Sequence, residues 1–98
     1  MSNVRLTWTL PSVGATQREI EHTRIEFRVD GAPQWTEQTL VPTDVAQELL
    51  FQDVAPGTYF YRATVVDIDG NEGAPAETQV DVPYDPPGTV VDFAGSIE

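Results

Sequence analysis

The stretch Val54-Ala55-Pro56-Gly57-Thr58-Tyr59-Phe60-Tyr61-Arg62-Ala63-Thr64-Val65-Val66-Asp67-Ile68-Asp69-Gly70-Asn71 decides the fold. Pro56-Gly57 marks a turn. From Thr58 to Ile68 two faces alternate, Tyr59, Tyr61, Ala63 and Val65 on one and Phe60, Arg62, Thr64 and Val66 on the other. A period of two is that of a strand, whose successive side chains point to opposite faces. Aromatic and β-branched side chains suit such a pleated, half-buried surface. Asp69-Gly70-Asn71 then reverses the chain, so a further strand follows, ending in Val80-Asp81-Val82 before Pro83.

Working outward, the same period recurs. Val4, Leu6, Trp8 and Leu10 alternate with Arg5, Thr7 and Thr9, which predicts a first strand closed by Pro11. Ile25, Phe27 and Val29 alternate with Arg24, Glu26 and Arg28, and Asp30-Gly31 supplies a turn. Trp35 to Val41 reads as a short returning strand closed by Pro42, and Leu49 and Phe51 form the inward side of another. Apolar residues nowhere recur at the helical spacing for the length of a helix. Short strands between Gly and Pro turns predict an all-β antiparallel sandwich. Its predicted core is Leu6, Trp8, Ile25, Phe27, Phe51, Tyr59, Tyr61 and Val65.

The 98 residues suit one small domain. Sixteen acidic residues against five Arg and no Lys give a net charge of −11, a field that repels phosphate backbones, so no nucleic-acid partner is expected. The absence of Cys removes disulfides, thiolate metal sites and a thiol nucleophile together. The start of the chain lacks the apolar run of a secretory signal, and no stretch reaches the roughly 18 apolar residues that would span a bilayer. No membrane partner is therefore expected.

Four of these segments, in order, resemble a fibronectin type III domain, of the variant common in bacterial and phage surface proteins. Val4-Arg5-Leu6-Thr7-Trp8 resembles its strand B, and Ile25-Glu26-Phe27-Arg28-Val29-Asp30-Gly31 its strand C and turn. Val54 to Arg62 and Val66 to Gly73 resemble its E–F turn, strand F and F–G loop. Tyr59 falls where the family places its tyrosine corner. The resemblance covers roughly residues 3 to 83 and implies an immunoglobulin-like antiparallel β-sandwich over 1–83. The family's strand A has no room before Val4 and is expected to be missing. The tail 84–98, Pro86-Pro87-Gly88-Thr89-Val90-Val91-Asp92-Phe93 above all, is similar to a linker followed by a strand A. Tyr84 to Gly88 spans at most about 17 Å, against roughly 35 Å for the length of such a domain. A strand A carried by the tail would therefore serve a neighbouring copy stacked head to tail, giving a ring or filament.

Candidate chemistry is sparse. Asp67, Asp69, Asn71 and Glu72 offer hard oxygen ligands, but Gly70 sits fourth from Asp67 and not sixth as in a calcium loop, so they read as a hairpin turn. His22, the one His, reads as a strand-edge surface residue. Ser2, Ser12 and Ser96 lie outside any nucleophile elbow, and Glu19, Glu21, Glu26 and Glu37 read as a solvated face. No catalytic, cofactor or metal residue is assigned, and Arg5, Arg24, Arg28 and Arg62 are expected outward, paired with carboxylates. Val90, Val91, Phe93 and Trp35 are the candidate partner-binding residues. The resulting expectation is a non-catalytic structural or adhesion module, virion-associated or at an extracellular surface, that binds protein, including itself. The alternative is a carbohydrate-binding or spacer module of a larger secreted enzyme, with Trp35 stacking on a sugar ring.

Overall fold

Alternation and turn chemistry produce six strands in the computed structural model, which describes residues 2–97. They are β1 (Ser2–Thr7), β2 (Ile20–Val29), β3 (Thr36–Pro42), β4 (Glu48–Val54), β5 (Gly57–Asp67) and β6 (Ala76–Val82). No helix occurs among the described residues. All pairing is antiparallel, in a two-stranded sheet β1-β4 and a four-stranded sheet β3-β2-β5-β6. The two sheets pack together through Val4 of β1, Tyr61 of β5 and Val82 of β6, with Leu6, Phe27, Phe51, Val54, Tyr59 and Val80 against them. Phe51 carries the contact between sheets: its ring lies 6.4 Å from Phe27, edge on, and 5.1 Å from Tyr61. Tilted rings at such spacing bring positive edges toward negative faces.

The turns set the register. Gly31 (φ 88°) and Gly70 (φ 86°) hold left-handed conformations at the β2–β3 and β5–β6 reversals, which residues with a Cβ enter at a cost. Ser2 stands opposite Val54 and Val4 opposite Phe51, so β4 bulges by one residue there. Asp53 takes the strain with φ 54°, and its freed amide donates to Asn3 Oδ1 at 3.1 Å. A second irregularity leaves Gln38 of β3 unpaired between the Ile25–Thr39 and Glu26–Glu37 pairs. Bulges of this kind bend and twist a strand locally.

Several expectations need correction. The first strand stops at Thr7, and Trp8 lies beyond it, half-buried, with its amide donating to Gln47 O at 3.2 Å and its indole Nε1 to Gln47 Oε1 at 2.9 Å. Trp8 is thus a clasp at the edge and not a member of the central cluster. Val65 is only half-buried, whereas Thr23 is fully buried and Thr64 and Val66 nearly so. His22 is in β2, an interior strand paired on both sides, and its side chain is largely covered. Glu26 is buried rather than solvated. The tail, whose strand is expected only against a neighbouring copy, carries no strand within residues 83–97 of the single chain.

Candidate functional site

The outer face of the four-stranded sheet carries one row of interacting charges and rings. Arg24, Glu26 and Arg28 alternate outward on β2, and the register puts Glu26 beside Arg62 and Arg28 beside Phe60. Arg62 donates through Nε to Glu26 Oε1 at 2.8 Å and through Nη2 to Oε2 at 3.1 Å, the two-pronged geometry that makes guanidinium–carboxylate pairs strong. Arg24 donates to Glu26 Oε1 at 3.4 Å and bonds Glu72 across the sheet. Trp35 lies under two guanidinium groups, Arg62 at 4.5 Å and Arg28 at 5.2 Å, and Arg28 also sits 4.4 Å from the Phe60 ring. Arg28 therefore faces rings where a carboxylate was expected, donating besides to Ala32 O.

The row shifts the acidity of its members. The hydrogen bonds from Arg62, reinforced by the charges of Arg62 and Arg24, hold the Glu26 carboxyl below its ordinary value against the opposing effect of burial. Arg24 and Arg62 are raised in turn, chiefly by their hydrogen bonds to Glu72 and Glu26. Glu26 is thus a fixed carboxylate, kept ionised, without the raised pKa of a general acid. A sugar stacking on Trp35 would have to displace a guanidinium from its half-buried ring.

At one pole, the oxygens of the β5–β6 loop serve the turn. Asp67 Oδ1 accepts from the amides of Asp69 at 2.9 Å and Asn71 at 2.8 Å, and Oδ2 from Asn71 Nδ2 at 3.0 Å. Burial pushes the Asp67 carboxyl up, but the bonds from Asn71 and Asp69 and the charge of Arg18 outweigh it and leave it lowered. Arg18 pairs with Asp69 at 3.0 Å. Among the described residues no group of three or more His, Cys, Asp or Glu could hold a metal ion.

On one flank, between the sheets, is a groove of about 140 Å³. Leu6, Thr7 and Trp8 form one lip, Ala76 and Thr78 of β6 the other, and Ile25, Tyr61 and Ala63 contribute to its lining. Its breadth comes from small residues: Ala63 of β5 pairs directly with Ala76 of β6. Beside it, among the described residues, β1 pairs only with β4, so its other edge is left open. The open edge accords with the strand A expected to be missing, whereas the groove is not visible in sequence, because it depends on which strands become neighbours.

The tail leaves the opposite end of β6. The described chain extends 83 Å along its longest axis against 28 and 18 Å across, and Val90, Val91 and Phe93 are 72%, 80% and 89% exposed. Three of the four predicted partner-binding residues thus stand together in solvent, and Trp35 belongs to the outer-face row. No family model and no curated protein matches the chain.

Proposed function

We propose that this chain is a non-catalytic structural and adhesion module of the fibronectin type III kind, built to bind protein and to join copies of itself head to tail in a virion or extracellular surface assembly. The observation that carries the self-association is the pairing, in one molecule, of an open β1 edge with a solvent-exposed apolar tail. Exposed apolar segments and open sheet edges are surfaces that proteins ordinarily cover. Support for the type III reading comes from the sheets β1-β4 and β3-β2-β5-β6, which match strands B-E and C′-C-F-G of that family, and from Tyr59, whose hydroxyl donates to Ala55 O at 2.6 Å as a tyrosine corner does. The virion or surface setting follows from the resemblance to phage and bacterial surface domains. Light scattering over a hundredfold range of concentration tests the assembly. Mass rising with concentration in the parent, and staying at one chain after deletion of residues 85–98, is the expected result; a parent that remains a monomer throughout refutes it.

A further inference from the structure

We propose that the groove between β1 and β6 is the receiving site for the tail of a second copy, with Val90 to Phe93 adding a strand to the free edge of β1 and the Phe93 ring entering the groove. This rests on the head-to-tail association proposed above and assigns its two contact surfaces.

The fit is one of size and polarity. An apolar cavity of about 150 Å³ holds a benzene molecule, and this groove, open on one side, offers about 140 Å³ among Leu6, Trp8, Ile25, Tyr61, Ala63 and Ala76, with Thr7, Thr78, Arg62 and Glu77 also lining it. Phe93 carries the one phenyl ring beyond Tyr84 and is 89% exposed. In a strand, Val91 and Phe93 share a face, so both turn inward while Asp92 points to water. Other edges are guarded: β3 bulges at Gln38 and ends in Pro42, β4 bulges at Asp53, and β6 carries Glu77 and Asp81 ahead of Pro83. Charged, bulged and Pro-bearing edges resist pairing, whereas β1 offers Arg5 as its one charge.

Chain length selects a second copy over the same one. Pro83, Pro86 and Pro87 keep the start of the tail extended, carrying it roughly 18 Å past β6 by Gly88 at ~3.1 Å per residue. A reversal at Gly88 returns Phe93 by at most about 17 Å, to the level of Val82, with the groove beside Thr78 and Ala76 a further ~13–20 Å along β6. Continued straight, Val82 to Phe93 covers about 36 Å. In a neighbour whose Trp8 pole faces the tail, the groove begins about 13 Å inside, the length of Ala63 to Asp67, which leaves roughly 23 Å to cross the junction. The donated strand then runs antiparallel to β1, and the relation repeats from copy to copy without a two-fold axis.

Cysteine cross-linking tests the site, since the chain has no Cys. Thr7, on the lip of the groove, and Asp92 are both exposed, and each can be replaced by Cys. A short bis-maleimide applied to the double variant is expected to give a ladder of linked dimers, trimers and higher species. Ala76→Phe, which fills the groove, and Phe93→Ala should each weaken the association by about tenfold to a hundredfold, the value of one buried ring. A cross-linked monomer overturns the second-copy assignment. A ladder from Gln38→Cys with Asp92→Cys, and none from Thr7→Cys with Asp92→Cys, moves the receiving edge to β3 and overturns the site while leaving self-association intact. Absence of every ladder, with a monomeric parent by light scattering, overturns both.

Discussion

Replacing Glu26 by Gln tests whether the outer-face row holds the sheet together. Glu26 accepts two bonds from Arg62 and one from Arg24, and its side chain is 11% exposed, so water cannot take its place freely. Its cover is a single layer of side chains and not the core, which puts the loss between that of a surface pair and that of a deeply buried one. Hydrogen bonds to charged groups contribute about 1.5–3 kcal/mol; a loss of about 2 kcal/mol lowers the Tm of a domain this size by roughly 8–16 °C. The pH dependence separates the carboxylate from mere packing. The folded-state pKa of Glu26 lies below its ordinary 4.5, so between the two values the unfolded chain binds more protons. The stabilisation is therefore complete above the ordinary value and lost as pH falls through the folded one. Urea melts of parent and Glu26→Gln at pH 7, and at steps from pH 5 downward, should show a gap that closes with acid. Equal stability at pH 7, or a gap unchanged by acid, refutes the role of the ion pairs.

Three further outcomes follow from single contacts. Ile25 is 1% exposed, so Ile25→Ala should cost about 2–5 kcal/mol in a urea melt. Thr23 is fully buried with its hydroxyl unbonded, and Thr23→Val, which removes an unsatisfied polar group at constant shape, should raise stability by about 1 kcal/mol; a loss instead would mean that the hydroxyl has a partner. Tyr59→Phe removes the bond to Ala55 O and should cost about 1 kcal/mol, seen as a Tm lower by roughly 4–8 °C.

The strands were legible because each carries its own period: Ile25, Phe27 and the alternating run of β5 announce their faces locally. Turns were legible where Gly31 and Gly70 supply conformations other residues avoid. What depends on neighbours was not. Glu26 reads as one acid among many, and only the register that sets Arg62 beside it makes it a buried node. Trp8 continues the alternation of β1 and its amide still reaches Gln47 O in register, yet the ladder ends here because the facing segment turns, the Glu48 amide bonding Ala46 O. Of the candidate site, the tail's apolar residues were visible and the groove was not, since the small Ala63–Ala76 pair becomes a gap only when β5 and β6 lie side by side.

The charge of the chain constrains how copies can meet. All five Arg are engaged within the molecule: Arg5 on Glu48, Arg18 on Asp69, Arg24 on Glu26 and Glu72, Arg62 on Glu26, and Arg28 on Trp35 and Phe60. Among the described residues no basic patch is left to attract an acidic neighbour, and two copies at a net charge of −11 repel. In the proposed head-to-tail assembly, contact is therefore expected from apolar burial and backbone pairing by Val91, Phe93 and the β1 edge. Salt screens charges beyond about 10 Å at 0.1 M, so it strengthens such a contact by weakening the repulsion. An association steered by opposite charges would respond the other way.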